Sequence, residues 1–384
     1  MKIVFTGGGT GGHFYPIIAV AEALRDIRNE KRELEPELFY IAPSPYDEES
    51  LFANGIRYIK SPAGKMRRYA SLKNLTDPFV TLWGTFWCLV TLFKIYPDVV
   101  FSKGGYASVP TVLAAHLLRI PIIIHESDAK PGRANLLASR FATHIAVSFD
   151  DSAKYFPLKA RAKIAKTGIP LRKTLQHLDP SGGIAHFGLD ASVPTVLILG
   201  GSSGSVAINE IVLAGLLDLV SHINVIHQTG KEHYKEVAKT AEVILHKNPY
   251  ATRYHAQPFF SAESLKMAAG AAHVIVSRAG ATAIAEASLW RRPAVLIPIP
   301  EDVSHDQRTN AYSYAHTGAA VVVEQSNLTP HVLVSEIRRI AENPSLGSDM
   351  GAKGALFSDG MASTRIAEAL LSIGRAHDIT EETV

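Results

Sequence analysis

Apolar residues in this chain gather into short unbroken runs, separated by longer stretches in which they recur every three or four positions. Runs at residues 3–6, 38–42, 98–101, 121–125 and 144–148 predict strands. So do those at 195–199, 224–227, 273–276, 294–299 and 320–324. Unbroken apolar strands with helical crossovers predict parallel sheets covered on both faces. The order strand, glycine loop, helix occurs at 3–25 and again at 195–219, which predicts an α/β chain of two doubly wound domains. A length of 384 residues exceeds one hydrophobic core and agrees with that division. "KTGIPLRKTL", residues 166–175, carries the Gly and Pro of a boundary, so the domains are placed at 1–168 and 173–350.

Composition narrows the class of function. A formal net charge of +3 gives no reason to infer nucleic-acid binding. The one cysteine, Cys88, allows neither an internal disulfide nor a Cys-rich zinc site. The apolar start at Met1 is too short for a signal peptide, so a cytoplasmic location is expected.

Chemistry enters at "TGGGTGGHFYP", residues 6–16. Gly7, Gly9 and Gly12 fit the spacing of a dinucleotide loop between strand and helix. Such a loop brings backbone close to phosphate, and the following helix offers free N–H groups and a favourable dipole. An NAD site needs an acid at the end of the second strand, where this chain has Ala42, Pro43 and Ser44. No Gly-Lys-Ser/Thr closes the loop as a P-loop would. His13 stands at the mouth of the loop, and an imidazole with a pKa near ~6.5 is a candidate base for a proton at neutral pH.

Taken in order, the motifs resemble the MurG family. "GGTGGHFYP" (8–16), "SKGGYASVP" (102–110), "IIIHESDAKPGRAN" (122–135), "TGIPLR" (167–172), "GGSSGSVAIN" (200–209), "SRAGATAIAE" (277–286) and "HDQRTNA" (305–311) all look like the family's motifs. The resemblance implies a GT-B fold: two Rossmann-like domains facing a cleft, with a C-terminal helix, 360–376, packing back on the first. It implies transfer of N-acetylglucosamine from UDP-N-acetylglucosamine to a lipid-linked muramyl-pentapeptide. Donor contacts would come from Thr10, Gly11, Gly12, Asp128, Arg172, Ser202, Phe260 near the uracil, Ala281, Thr282, Ala283, Ile284, Ala285, Glu286 on the ribose, and Gln307. Acceptor contacts would come from Gly104, Gly105, Tyr106 and Ser108. The chain departs from the common pattern at Asp128, where an amide is usual, and at Ala283 and Asp306.

The implied reaction is a single displacement that inverts the sugar. It needs a base, for which His13 is the candidate, and stabilisation of the leaving diphosphate by helix N-termini, loop amides and Arg172. The chain contains no Asp-x-Asp, and no metal or other cofactor is expected.

Residues 79–93 form an uncharged stretch of about 22 Å as a helix, short of a hydrocarbon core of about 30 Å. It reads either as a core helix or as a membrane-facing one. Residues 50–76 before it hold six basic residues and no acid. The resemblance implies a peripheral enzyme on the cytoplasmic side of an anionic membrane, with Lys65, Arg67, Arg68, Trp83, Phe86 and Trp87 contributing to the contact. The competing readings are another GT-B lipid glycosyltransferase, a UDP-N-acetylglucosamine 2-epimerase, an NAD-dependent oxidoreductase and a scaffold without activity.

Overall fold

The computed structural model describes residues 1–65, 73–201, 204–301 and 306–381, with the side chains of 73–75 and 376–381 left aside. The apolar runs fold as parallel strands in two sheets, each in its own unit. The first unit comprises Met1–Arg172 and Gly360–Val384, the second Lys173–Asp359.

In the first unit the strands are β1 (Lys2–Thr6), β2 (Glu37–Ala42), β3 (Ile56–Lys60), β4 (Val99–Ser102), β5 (Ile122–Glu126), β6 (His144–Val147) and β7 (Ile164–Lys166). Their order is β3-β2-β1-β4-β5-β6-β7, so the winding reverses between β1 and β4. One face packs on the first helix, Gly11–Lys31, through Ile17, Val20 and Leu24. The C-terminal helix, Ala362–Glu381, adds Ile366, Ala367, Leu370 and Leu371 to the same core. The other face is covered in part by Cys88 and Leu92 of the helix Lys73–Ile95.

In the second unit the strands are β8 (Thr195–Leu199), β9 (Asn224–Gln228), β10 (Tyr254–Gln257), β11 (Val274–Ser277), β12 (Ala294–Leu296) and β13 (Ala320–Val322). The order is β10-β9-β8-β11-β12-β13, with the reversal between β8 and β11. In doubly wound sheets, ligands bind at the carboxyl ends of the strands where the winding reverses.

Three strands lack the apolar runs that predict the others: β3, β7 and β10. Each is the outermost strand of its sheet. An edge strand has a neighbour on one side only and is covered less, so polar residues such as Arg57, Lys60, Lys166 and His255 interrupt it.

The stretch 79–93 is part of a longer helix than its uncharged core suggests. Thr76–Ile95 is 20 residues, about 30 Å, and is long and apolar enough to cross a membrane. Packing, not length, holds it in place. Thr85, Cys88 and Leu92 form a buried stripe, Cys88 and Leu92 within the core beneath the sheet, while Phe79, Leu82, Trp83, Phe86, Trp87 and Phe93 are exposed. The helix is therefore apolar on its outer face too.

Candidate functional site

At the first reversal, β1 and β4 end side by side, with Thr6 opposite Ser102. Both glycine loops leave from there and touch backbone to backbone. Gly105 has φ +76°, and a Cβ on it would lie 2.9 Å from the Gly8 carbonyl oxygen and 3.7 Å from His13 Nε2. Only glycine fits that approach. The Ser108 hydroxyl is buried and donates to the Gly105 carbonyl at 2.9 Å, so it braces the loop from within. Tyr106 lies against Gly9, and Lys65 Nζ stands 5.8 Å from the centre of its ring.

His13 sits in the opening turn of the first helix, half-buried. Its Nδ1 shares a hydrogen bond of 2.8 Å with Thr10 Oγ1, which leaves Nε2 toward Gly105. Burial, and after it the Lys103 ammonium, draws its pKa down to about 3, so it is neutral across the physiological range. The His13 N–H donates to the Thr10 carbonyl, and the Gly11 N–H meets the Tyr46 hydroxyl. Of the first-turn amides expected to face a ligand, Gly12 is the one these contacts leave. The Arg172 guanidinium lies over the Tyr15 ring at 4.4 Å, beside the same turn.

Glu126 ends β5 and is buried. It accepts from the Asp128 N–H at 3.0 Å, the Gly132 N–H at 3.0 Å and Asn135 Nδ2 at 2.9 Å. It therefore builds the turn that sets Asp128. Lys103, also buried, donates from Nζ to Ser127 Oγ at 2.6 Å. Burial lowers its pKa, against the opposing pull of Glu126 and Asp128.

In the second unit the reversal places Leu199 of β8 opposite Ser277 of β11. The loop after β8 closes on Gly204 at φ +79°, where a Cβ would lie 2.2 Å from the Thr229 carbonyl oxygen. Ser205 then caps the next helix, accepting from the Ile208 N–H. Arg278 ties this corner together, donating to Ser205 Oγ at 2.7 Å and to the Ile297 carbonyl at 3.2 Å. Ser202 lies outside the described residues, as do Arg67 and Arg68.

The helix Ala281–Leu289 begins at Gly280 with no side-chain cap and no acid in its first turn. The Ile284 N–H already bonds the Gly280 carbonyl, and the side chains of Ile284 and Ala285 are buried. Of residues 281–285, therefore, Ala281, Thr282 and Ala283 offer amides to an anion, and Ile284 and Ala285 serve the core. Glu286 follows on the same helix, partly exposed. Gln307 opens the helix Gln307–Ala315, and its Oε1 accepts from the Ile299 N–H at 3.2 Å, so the side chain can offer its amide N–H2 to a ligand.

Phe260 departs from expectation. Its ring is 4% exposed and meets Phe187 edge-on at 6.2 Å, so it is not offered to a base. The neighbouring Phe259 is exposed, with Lys231 Nζ 5.3 Å from its ring centre. Lys103, Arg278 and Phe259 escaped the sequence reading. The two cations had a signal, since each directly follows a serine that closes a strand ("SK", "SR").

The chain matches the glycosyltransferase family 28 N-terminal domain over residues 3–147 and the family's C-terminal domain over 195–366. It is 37% identical over 341 residues to the UDP-N-acetylglucosamine–N-acetylmuramyl-(pentapeptide) pyrophosphoryl-undecaprenol N-acetylglucosamine transferase of Lachnospira eligens, covering 88% of this chain and 90% of that one. To the protein of the same name from Treponema denticola it is 33% identical, covering 88% and 87%. Among solved structures, Acinetobacter baumannii MurG superposes with a TM-score of 0.72 at 27% identity, covering 97% of this chain and all of that one. A UDP-N-acetylglucosamine 2-epimerase from Neisseria meningitidis gives 0.67 at 15% identity, covering 97% and 100%, a likeness of fold alone.

Proposed function

The chain belongs to the MurG family of glycosyltransferases, GT-B enzymes of peptidoglycan synthesis, and from that premise we infer how its residues carry the reaction. It transfers N-acetylglucosamine from UDP-N-acetylglucosamine to the 4-hydroxyl of the lipid-linked N-acetylmuramyl-pentapeptide. The full-length likeness to the named transferases, spanning both units, carries this reading.

The first unit takes the acceptor and the second most of the donor. His13 acts as the base. With its Nδ1–H donating to Thr10, Nε2 keeps the lone pair that receives the proton of the attacking hydroxyl. That oxygen bonds to the anomeric carbon as the bond to the UDP oxygen breaks, inverting the centre. The amides of Ala281–Ala283 and the Arg172 guanidinium meet the charge that gathers on the diphosphate. Glu286 accepts from the ribose hydroxyls.

The leaving group is stabilised without a metal ion in this reading. The acidic pair Glu126-x-Asp128 is a poor ligand set, because Glu126 already accepts from three donors. The test is UDP release from UDP-N-acetylglucosamine with the lipid-linked acceptor, in EDTA. Acceptor-dependent release is expected at an undiminished rate. Release only on adding magnesium would overturn the metal-free mechanism, and none under either condition would direct attention to epimerase products.

The exposed face of Thr76–Ile95 rests on the cytoplasmic surface of an anionic membrane, where the acceptor's lipid chain resides. Trp83 and Phe86 stack at 5.8 Å on that face, and the exposed cations Arg57, Lys60, Lys65 and Lys94 lie on the same helix or in the segment before it. Basic residues beside exposed aromatics suit such a surface. A double variant, Trp83→Asp with Phe86→Asp, should no longer sediment with phosphatidylglycerol vesicles. Its turnover on a short-chain, water-soluble acceptor should stay within about twofold, since membrane binding follows buried apolar area. Undiminished sedimentation would remove the helix from the contact.

A further inference from the structure

An arginine can be held in place by a carboxylate or by the face of an aromatic ring, with different consequences. A carboxylate takes up N–H groups of the guanidinium and offsets its charge. A ring face attracts the cation through its quadrupole and leaves the N–H groups to other partners. Arg172 is held the second way. Its guanidinium lies over the Tyr15 ring, 4.4 Å from the ring centre. Among the described residues no carboxylate pairs with it and no carbonyl takes its N–H groups.

The ring is itself fixed. Phe14 meets it at 5.5 Å and Tyr46 at 5.9 Å, both edge-on. Its hydroxyl reaches Asp47 Oδ2 at 3.5 Å. Asp47 caps the helix Glu48–Ala53 and accepts from the Ser50 N–H at 3.0 Å and the Ser50 hydroxyl at 2.7 Å, so it is pinned in turn. The Cε2 edge of the ring lies against the first glycine loop, for a Cβ on Gly11 would come within 3.3 Å of it. Tyr15 therefore spans from Gly11 to Arg172, two of the residues assigned to the donor.

Resting on the transfer reading above, we propose that Tyr15 is a positioning residue for Arg172. Its ring holds the guanidinium beside the first turn of the helix Gly11–Lys31 and leaves the N–H groups for the diphosphate. A free arginine would have to be immobilised as the ligand binds, at a loss of rotamer entropy that the ring has already removed. A carboxylate in place of the ring would also fix the side chain, but it would compete with the diphosphate for the same donors. Asp47, the acid at the hydroxyl end of the ring, is instead taken up by Ser50.

The test is a double-mutant cycle on kcat/KM for UDP-N-acetylglucosamine at saturating acceptor. It compares wild type, Tyr15→Leu, Arg172→Ala and the double variant, with Tyr15→Phe as the conservative control and thermal unfolding measured on each. Tyr15→Leu should lose about tenfold, the scale of one well-placed cation–π contact, and Tyr15→Met serves if Leu does not fold. Tyr15→Phe keeps the ring and should stay within about twofold of wild type. In the Arg172→Ala background the change at Tyr15 should lower kcat/KM by less than about twofold more, because the ring then has nothing to hold. Equal losses in both backgrounds, in variants that stay folded, would make Tyr15 a packing residue of its helix and overturn the proposal. So would a Phe variant as impaired as Leu. Full turnover in Arg172→Ala would remove Arg172 from the diphosphate and the proposal with it. Absence of acceptor-dependent release in wild type would instead sink the transferase reading.

Discussion

Replacing His13 by alanine lowers kcat for transfer by ~10²–10⁴-fold, the range typical of a positioned general base. The KM for UDP-N-acetylglucosamine stays within about twofold, because an interaction made only in the transition state drops out of kcat and not out of ground-state binding. The fold should tolerate the change, since the ring is half-buried at the loop mouth and its bond to Thr10 is local. Steady-state UDP release with saturating acceptor is the measurement, and full turnover in the variant would take the base away from His13. The wild-type pH profile makes a second demand. An imidazole held down to about 3 is unprotonated far below the ordinary histidine value, so the acidic limb of kcat/KM should fall well under pH 6.5.

Acidification from pH 7 to pH 5 should weaken both units, and neutral His227 alone should cost the second about 2 kcal/mol. His125 in the first unit and His227 in the second are fully buried. Burial is the first cause of the lowered pKa in both, and His227 is drawn down to about 3. Their bonds suit the neutral ring: His125 Nε2 to the Gly168 carbonyl at 2.8 Å, and His227 to Tyr254 and Asn209 at 3.0 and 3.1 Å. Unfolded, each binds its proton near ~6.5. The stability of the neutral rings is therefore complete above that pH and declines as pH falls toward the folded value, by ~1.4 kcal/mol per unit for each ring. Calorimetry across this range should show the unfolding temperature dropping, with a shallower slope for His227→Gln. A flat profile between pH 7 and pH 5 would contradict the assignment.

The interior of each sheet was legible because strands covered on both faces must be continuously apolar. What was not legible follows from the same physics. At β3, β7 and β10 the outer side is uncovered, the periodicity dissolves, and only the finished sheet identifies them as strands. The glycine loops announced phosphate chemistry, yet their motif could not say which amides stay available. That depends on Tyr46 capping Gly11 and on the Ile284 N–H turning back to Gly280. Phe259 and Phe260 are adjacent and alike in sequence. Which one is exposed is decided by Phe187, more than seventy residues upstream of both, and so is invisible locally. The burial of Lys103 reflects the crowding of two loops and Ser127 around it, which no local pattern announces.

The second unit is an insertion in the first, because the helix Ala362–Glu381 belongs to the sheet that begins at Lys2. Ile366, Ala367, Leu370 and Leu371, four of that sheet's covering side chains, are made only after the whole second unit. Domains generally fold as units during synthesis, the N-terminal one first. Here that order is inverted. The second unit has its whole sequence when residue 359 emerges from the ribosome, while the first must wait, with an apolar strip uncovered, for residues 362–381. Between the emergence of residue 359 and that of residues 362–381, the nascent chain would therefore display a finished second unit and an unfinished first one, and chaperones would find their binding surface on the older of the two.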